Sequence, residues 1–416
     1  MIKRTLFSDL LAHLDKKEIS LLVGPRQSGK TTLLFLLKDY LEKRGDKCVY
    51  LNLDIESDKR YFESQEVLLN KISLEVGTNK AFIFLDEIQR KENAGLFLKG
   101  LYDMSLPYKF IISGSGSVEL KEKIHESLAG RKRLFELSTL SFEEFVNYKT
   151  EYKYENKLDE FFKVESNRAH QYLYEYLNYG GYPRVVLEET EVEKTKIISE
   201  LYQSYVEKDI VYLLNVQKTE DFTRLVKILA SQVGKLLNNS ELSATLGLSV
   251  PTVRNYLWYL EKTYITYRVT PFFRNTRKEI TKSPVIYFSD LGLRNYANGT
   301  FGSLSNPSNI GFLFQNFVAN KINTKLNQTS QGFHFWRTKD RAEVDFIIEP
   351  KEDVILPIEV KFKVLKTPEI SRSLHSFISK YNTKEAIIVH LGEKSGTKVG
   401  NTVVKLIPFY EEIQLS

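Results

Sequence analysis

The stretch LLVGPRQSGKTTLL, from Leu21 to Leu34, decides the fold of the first part of this chain. The apolar, β-branched run from Ile19 to Val23 predicts a buried strand, which Gly24 and Pro25 end. A helix is predicted from about Lys30 onward. A strand, a glycine-rich loop and a helix in this order are typical of an α/β domain that binds phosphate groups.

The loop has the spacing G-x-x-x-x-G-K-T, with Gly24, Gly29, Lys30 and Thr31 at its defining positions. Glycines let the backbone N–H groups turn inward, and the helix N-terminus adds a positive dipole end. Lys30 can reach the β- and γ-phosphates, while the Thr31 hydroxyl can bind magnesium. The alternative is a Gly-Lys turn that binds nothing. The sequence therefore predicts a site for ATP and Mg²⁺, formed by Gly24, Pro25, Arg26, Gln27, Ser28, Gly29, Lys30, Thr31 and Thr32.

Length and composition are those of a globular protein with several domains. At about 150 residues per domain, 416 residues predict two to four domains. The chain is 42% hydrophobic and 27% charged, so a sizeable core is available. The net charge of +6 is a mild basic bias, compatible with nucleic acid but not diagnostic of it. A single cysteine, the absence of a signal-like start and the lack of a membrane-length apolar run predict a cytoplasmic protein with no membrane contact.

The pattern along the chain predicts four domains. Residues 1–148 alternate strands and helices, which predicts a parallel sheet with helices on both faces. Residues 149–220 predict a helical connector, and the interruption GGYPRVV at 180–186 marks a turn within it. Residues 221–271 predict a winged helix-turn-helix, and residues 272–416 predict a second α/β domain. The fold class is therefore α/β, with a helical segment between two mixed domains.

Hydrolysis of a bound nucleotide needs more than a phosphate loop, and the segment AFIFLDEIQ supplies the missing groups. A strand ends there in Asp86 and Glu87, at the carboxyl edge of the sheet. Asp86 would hold the magnesium shell, and Glu87 would act as general base toward the attacking water. The alternative is an exposed acidic pair at a strand end.

Three further residues have two interpretations each. Ser113 ends the next strand, where its hydroxyl can contact the γ-phosphate or the attacking water, or can simply form a turn. Arg131 can act as an arginine finger toward a neighbouring subunit or can form a salt bridge. Arg26, inside the loop, can face nucleotide or DNA.

Several of these motifs together resemble those of a family of archaeal and bacterial AAA-type ATPases. The motifs are GPRQSGKTTLL, FLDEIQ, ISGSGS, the AGR turn followed by LSTLSFEEF, and the later GGYP and EKDI. Members of that family carry a C-terminal domain of unknown function with a winged helix and a restriction-nuclease-like fold. The resemblance implies that Lys30, Thr31, Asp86 and Glu87 are the ATPase residues.

The segment around Leu248 has a helix-turn-helix pattern. Ser240 is predicted to cap a first helix that ends at Gly247, and Ser249 a second helix with Pro251 in its first turn. Val253, Leu257 and Leu260 form the inner stripe of the second helix, and the strand-like ITYRVTPFFRN, with Arg268 and Arg274, would form the wing. The outer face offers four residues suited to phosphates and base edges, namely Thr252, Arg254, Asn255 and Tyr259. DNA contact and a purely structural or protein-binding role both remain open.

Two later strands carry the core of the PD-(D/E)XK nuclease pattern. Asp345 lies in AEVDFII, while Glu359 and Lys361 share one face of ILPIEVKF. The carboxylates could bind magnesium beside the lysine, and Trp336, Arg337, Lys339 and Arg341 could follow a nucleic-acid backbone. The resemblance places a further acidic residue where this chain has Gln315, and an amide is a poorer magnesium ligand than a carboxylate. The alternative is a degenerate site in which these residues form an ion cluster.

Taken together, the motifs favour an oligomeric ATPase that uses Mg-ATP hydrolysis to drive or regulate engagement of DNA. A nucleotide-controlled protein switch without DNA contact is the main alternative, and an ATP-gated nuclease is a third.

Overall fold

The computed structural model describes residues 2–115, 127–204, 219–273, 282–304, 307–326, 331–340, 342–351 and 354–414. The chain divides into two compact units. The first consists of Met1–Leu140, Tyr182–Arg184 and Trp258–Ile265, and the second of Ser141–Gly181, Val185–Leu257 and Thr266–Ser416.

Up to residue 140, the described residues of the first unit contain five strands and five α-helices, with helices between most successive strands. In chain order these are α1 (Leu6–Ala12), β1 (Ile19–Gly24), α2 (Lys30–Lys43), β2 (Cys48–Asn52), α3 (Glu56–Lys59), α4 (Gln65–Val76), β3 (Ala81–Asp86), α5 (Ala94–Asp103), β4 (Tyr108–Ser115) and β5 (Lys132–Glu136). Short 3₁₀ turns follow at Arg60–Phe62 and Ile88–Arg90.

All five strands are parallel and lie in the order β2-β3-β4-β1-β5. Side chains alternate between two cores, as Leu21 and Leu22 do on β1. Leu33 and Leu34 of α2 belong to one core, and residues of α4 and α5 belong to the other. The predicted parallel sheet with helices on both faces is therefore confirmed.

The second unit begins with helices. They are α6 (Phe142–Lys149), α7 (Leu158–Val164), α8 (Ser166–Tyr179), α9 (Pro183–Leu187), α10 (Glu191–Tyr202), α11 (Thr219–Ser231), α12 (Asn239–Leu246) and α13 (Val250–Lys262), of which α9 and α13 extend into the first unit. The predicted turn at GGYPRVV lies between α8 and α9, where Gly180 has a φ of 73°. An L-residue side chain is disfavoured at that angle.

The remaining elements form a mixed sheet with three helices. They are β6 (Thr266–Pro271), β7 (Val285–Phe288), α14 (Leu291–Ala297), α15 (Pro307–Leu326), β8 (Phe333–Arg337), β9 (Glu343–Lys351), β10 (Val354–Val360), α16 (Arg372–Tyr381), β11 (Glu385–His390), β12 (Ser395–Val399) and β13 (Thr402–Pro408). The sheet order is β12-β13-β11-β10-β9-β8-β6-β7. Leu374 and Phe377 of α16 are buried in a core with residues of β9, β11 and β13.

One detail of the predicted winged helix is wrong, and the predicted wing lies only partly within the described residues. The first helix is capped by Asn238, whose side chain accepts from the N–H groups of Ser240 and Glu241, and not by Ser240. The strand predicted as the wing is β6, which pairs antiparallel with β7 and parallel with β8 in the large sheet. The boundary predicted near residue 272 therefore cuts through a pair of hydrogen-bonded strands. Arg274 lies outside the described residues.

Strands β8, β12 and β13 were not predicted. The burial alternates weakly along β12, which carries few apolar side chains. None of the helices in the described parts of the chain is long and apolar enough to cross a membrane.

Candidate functional site

The carboxyl edge of the five-stranded sheet brings the phosphate loop and the acidic pair together. Lys30 begins α2 directly after the loop, while Asp86 ends β3. The Thr31 Oγ1 donates to Asp86 Oδ2 at 2.8 Å. Because parallel strands end at the same edge, residues 55 positions apart meet here. We call Lys30, Thr31, Asp86, Glu87 and Ser113 the carboxyl-edge site.

The loop itself has a backbone shape that requires glycine. Gly24 and Gly29 have φ values of 152° and 96°. A Cβ atom at Gly24 would lie 2.1 Å from the Leu137 carbonyl oxygen, so no side chain fits there. The first turn of α2 contains no acidic residue, and its N-cap, Gly29, has no side-chain cap. The helix N-terminus is therefore left available for an anion.

Lys30 is buried against the loop that precedes it. Its Nζ donates to the carbonyl oxygens of Gly24, at 3.1 Å, and Pro25, at 2.7 Å. Burial lowers the pKa of Lys30 to about 8, while Glu87 and Asp86 act in the opposite direction. A phosphate group would give this ammonium the charge partner that its burial calls for.

The fit of the loop to a phosphate group also rests on Ser28. Its Oγ is buried and has no hydrogen-bond partner among the described residues. A buried hydroxyl without a partner is costly, and a phosphate oxygen would satisfy it. The donors present, namely a hydroxyl, an ammonium and backbone N–H groups, match a nucleotide phosphate.

Asp86 is fully buried and accepts hydrogen bonds at both of its oxygens. Oδ2 accepts from Thr31 and from the Tyr50 hydroxyl, the latter at 2.7 Å. Oδ1 accepts from the Ser113 hydroxyl and from the Glu87 N–H, the latter at 3.1 Å. Three of the four donors are hydroxyl groups, which can rotate toward another acceptor. These hydroxyl groups thus orient the carboxylate, and they can turn away from it when a metal ion binds.

Glu87 has a left-handed backbone, with a φ of 57°. Its N–H also lies 3.3 Å from Ser113 Oγ, and its carboxylate accepts from the Gln89 side chain. Such a φ is uncommon for a residue other than glycine and is frequent at functional sites. The acidic pair predicted at the end of β3, Asp86 and Glu87, thus lies in contact with Ser113.

Three predicted residues lie outside the carboxyl-edge site. Arg131 precedes β5, at the opposite end of that strand from the loop, and its Nε donates to Asp103 at 2.8 Å. Its predicted function as a finger toward a neighbouring subunit stays a prediction. Arg26 is partly buried beside the loop, and Thr32 is exposed on the first turn of α2.

The structure adds residues that the sequence did not single out. Tyr50 reaches Asp86 from β2, the strand that pairs with β3. Burial and its bond to Asp86 raise the pKa of the Tyr50 hydroxyl. Arg184 donates to the Gln27 side chain at 3.1 Å, and Arg4 donates to the Ser28 carbonyl at 2.8 Å. Neither arginine lies near the loop in sequence.

The predicted helix pair is present, and its inner stripe is buried. Val253, Leu257 and Leu260 are each at most 1% exposed. On the outer face Arg254 and Asn255 are exposed, whereas Thr252 and Tyr259 are partly buried. The Ser249 hydroxyl accepts from the Thr252 N–H at 3.2 Å, as predicted for a helix cap.

The residues of the nuclease-like pattern also meet, on β9, β10 and α15. Gln315 Nε2 donates to Asp345 Oδ1 at 2.6 Å, and the Val360 N–H donates to Asp345 Oδ2 at 2.7 Å. Glu359 is bound by Lys361 at 2.6 Å and by the Ser371 hydroxyl at 2.9 Å. We call Gln315, Asp345, Glu359 and Lys361 the carboxylate cluster.

Every carboxylate oxygen of this cluster has a donor. Withdrawal from water raises the pKa of Asp345 to about 7, and the nearby charge of Glu359 acts in the same direction. No group of three or more His, Cys, Asp and Glu side chains suited to a metal ion occurs among the residues that the structure describes. Trp336 is buried against Phe377, so its predicted role along a nucleic-acid backbone is wrong. Arg341 is outside the described residues.

The parallel sheet, the glycine loop and the acidic strand end are typical of a P-loop domain. The comparison with protein families agrees, because residues 16–146 match a model described as an AAA domain. Residues 170–304 and 310–411 match two models described as domains of unknown function, DUF8612 and DUF4143. The first part of the chain is thus similar to AAA domains, and the later parts to two domains of unknown function, while the winged-helix and nuclease-like folds that the resemblance implied stay predictions.

Curated relatives are similar over most of their length. An uncharacterized protein of Haemophilus influenzae is 27% identical over 376 residues, which is 88% of each chain. An uncharacterized protein of Mycobacterium tuberculosis is 28% identical over 397 residues, covering 94% of this chain and 80% of its own.

Among solved structures, the Aeropyrum pernix ORC1 protein in complex with DNA matches with a TM-score of 0.31 and 13% identity. That match covers 73% of this chain and 94% of the other. The replication initiator DnaA, bound to AMPPCP and single-stranded DNA, has a TM-score of 0.31 and 17% identity, over 62% and 86% of the two chains. Similarities this low support no statement about what this chain binds.

Proposed function

We propose that the chain binds Mg-ATP in the loop from Gly24 to Thr31 and hydrolyses it to ADP and phosphate. The observation that carries the proposal is the meeting of Lys30, Thr31 and Asp86 at one sheet edge, beside a buried Ser28 hydroxyl that has no partner. Acidic, basic and hydroxyl groups converge there on a backbone shaped by glycine.

Each residue has a distinct part in the proposed reaction. Lys30 binds the phosphates, and Ser28 with the backbone N–H groups of the loop orients them. Thr31 and Asp86 would hold Mg²⁺, which supplies neutralisation of the negative charge that develops on the phosphate oxygens. Glu87 accepts the proton of the attacking water at its carboxylate, and Ser113 holds Asp86 and the Glu87 backbone in position.

The decisive experiment compares the wild type with Lys30→Ala. We expect Mg-ATP turnover in the wild type and a loss of nucleotide affinity of about 100-fold or more in the variant, because a charged contact to phosphate is removed. Lys38→Ala is a matched control, since Lys38 lies on the same helix and pairs with Glu42 instead. Wild-type protein without measurable ATP binding would refute the proposal.

We further infer that the outer face of α13 is the DNA contact of this ATPase. The exposed Arg254 and Asn255 support it, because they are suited to phosphates and base edges. DNA should raise ATP turnover in the wild type and not in Arg254→Ala, and its binding should weaken as salt rises. Unchanged turnover and no salt-sensitive binding would contradict this part alone.

One observation favours the second candidate, a nucleotide-controlled protein switch. Strand β6, where a wing was predicted, is paired on both sides within the large sheet. Through Thr270 and Pro271 this strand links the helix pair to the large sheet, as a switch that passes a change between these regions requires. Nucleotide-dependent change in oligomer mass without any effect of DNA on turnover would support the switch over the DNA-dependent ATPase.

A nuclease is the least supported candidate. The oxygens of Asp345 and Glu359 are taken by protein donors, and Gln315 lacks the charge of a third carboxylate. We propose that the carboxylate cluster is structural. Magnesium- or manganese-dependent cutting of linear, branched or single-stranded DNA, lost in Glu359→Ala, would overturn that view.

A further inference from the structure

We propose that Arg4 is a positioning residue for the phosphate loop, acting through the peptide group between Ser28 and Gly29. The inference rests on the proposed function of the loop and adds a residue outside the motif. The observation behind it is a buried guanidinium group. This group donates hydrogen bonds to a backbone carbonyl of the loop and to backbone carbonyls of the segment that supports the loop.

Arg4 is 9% exposed and joins two segments that are far apart in sequence. Its Nη1 donates to the Ser28 carbonyl at 2.8 Å. Its Nη2 donates to the carbonyl oxygens of Ser138, at 2.8 Å, and Thr139, at 3.3 Å. A planar guanidinium can hold these carbonyls at once because its donors form a rigid fork.

The segment that Arg4 joins to the loop also supports the loop directly. The Leu137 N–H donates to the Val23 carbonyl at 2.8 Å. The Leu137 carbonyl lies so close to Gly24 that no side chain fits between them. The start of the loop therefore rests on Leu137, and Arg4 ties the end of the loop to the two residues that follow Leu137.

Arg4 is itself held by a fixed element. It precedes α1, whose Leu10 is buried in one core with Leu33 and Leu37 of α2. The helix that follows the phosphate loop thus packs against the helix that follows Arg4. A side chain anchored in this way can orient a backbone group without large entropic cost at each binding event.

The consequence for phosphate binding follows from peptide geometry. In a trans peptide the C=O and the next N–H point in opposite directions, and no described peptide bond is cis. With the Ser28 C=O held toward Arg4, the Gly29 N–H points away from Arg4. An N–H held in one direction before binding needs no reorientation when an anion arrives.

The experiment compares Arg4→Ala and Arg4→Lys with two controls in the same unit. Arg44→Ala removes an exposed arginine at the far end of α2, where it pairs with Asp46. Leu68→Ala leaves the loop intact but removes a buried side chain of α4, so it lowers the melting temperature by core packing alone. The measurements are Mg-ADP affinity by calorimetry, ATP turnover, melting temperature, and amide hydrogen exchange of residues 24–31 without nucleotide.

We expect Arg4→Ala to lose about 10- to 100-fold in ADP affinity, since hydrogen bonds to a charged group are removed. The KM for ATP should rise while kcat stays within about threefold, because the Gly29 N–H contacts phosphate before and during the reaction. Exchange of residues 24–31 should become faster. Arg4→Lys should recover part of the affinity, since one ammonium cannot hold both segments.

Three results would overturn the proposal. The first is that folded Arg4→Ala binds ADP as tightly as the wild type does. The second is that the amide exchange of residues 24–31 is unchanged in Arg4→Ala. The third is that Leu68→Ala, at the same melting temperature as Arg4→Ala, loses as much ADP affinity. If the wild type binds no nucleotide, the proposed function fails. Exchange in the nucleotide-free protein then decides the role of Arg4 by itself.

Discussion

The carboxyl-edge site and the carboxylate cluster contain similar residues but differ in what binds their acids. Each has two acidic side chains and a lysine. At Asp86 three of the four donors are hydroxyl groups, from Thr31, Tyr50 and Ser113. At Asp345 the donors are a side-chain amide and a backbone N–H, and neither is a hydroxyl group.

The two lysines differ in the same way. Lys30 binds only backbone carbonyls among its described hydrogen bonds, so its charge is left for a ligand. Lys361 binds Glu359, and its charge is already neutralised. A shared residue composition therefore does not define a shared function. What distinguishes a site from a structural cluster is whether a charge or a hydroxyl is left for a ligand.

The largest effect is expected from Glu87→Gln. The amide keeps the size of the side chain but cannot accept the proton of the attacking water, so turnover should fall by about 100-fold or more while ATP binding is retained. Single-turnover hydrolysis with a binding measurement tests this. Glu92→Gln is the control, because Glu92 is an exposed acid five residues further on. A normal rate in Glu87→Gln would make the assignment of the base wrong.

The second prediction concerns pH and the carboxylate cluster. The pKa of Asp345, about 7, lies above its ordinary value of 3.8, so the folded state holds this proton more tightly than the unfolded state does. The resulting stability is fully present below about pH 4 and is lost as pH rises through 7. Since a shift of one pKa unit corresponds to about 1.4 kcal/mol, the free energy of unfolding should change by on the order of a few kcal/mol over this pH range.

Asp345→Asn should remove this dependence, because its side chain stays uncharged. Relative to the wild type, the free energy of unfolding of the variant should rise between pH 5 and pH 8. Urea unfolding at both pH values measures this, and a constant difference between the two proteins would contradict it. Glu385→Gln is a control on the same sheet, since Glu385 forms an exposed pair with Lys405.

The carboxyl-edge site was largely predictable from sequence, and the reason is local. The loop spacing and the acidic strand end each lie within one short segment, and parallel strands bring such ends together. Arg4 and Tyr50 were not predictable, because their contacts join segments 24 to 134 residues apart. Strand order and packing fix such contacts, and no local pattern records them.

The fold of the second unit was predicted less completely for a similar physical reason. The strand around Arg268 has the pattern expected of a wing, because polar and apolar residues alternate in the same way in a hairpin strand and in a strand of a large sheet. Its pairing with β7 fits both, and its pairing with β8 shows that it also belongs to the large sheet. Gln315 beside Asp345 was anticipated only through the family resemblance, since a helix residue and a strand residue share no sequence spacing.

The third prediction tests whether charge alone separates the two regions. Gln315→Glu would place a third carboxylate beside Asp345 and Glu359, and three carboxylates suit a divalent cation. Without nucleotide, Mn²⁺ should raise the melting temperature of this variant by about 2–4 °C, which corresponds to about 1 kcal/mol, and should leave the wild type unchanged. Gln315→Ala is the control, and an equal Mn²⁺ effect in the wild type would contradict the view that the cluster is closed.

The smallest effect is expected from Tyr50→Phe, which removes one hydroxyl donor from Asp86. Thr31, Ser113 and the Glu87 N–H still bind this carboxylate, so turnover should fall only about fivefold, as for about 1 kcal/mol, with ATP affinity unchanged. Phenylalanine keeps the ring contact with Phe35, whose centroid lies 4.6 Å away, whereas Tyr50→Leu would lose it and lower stability as well. Unchanged turnover in Tyr50→Phe would show that the other donors orient Asp86 without the help of the Tyr50 hydroxyl. A loss as large as that of Glu87→Gln would mean that the phenol itself takes part in the reaction.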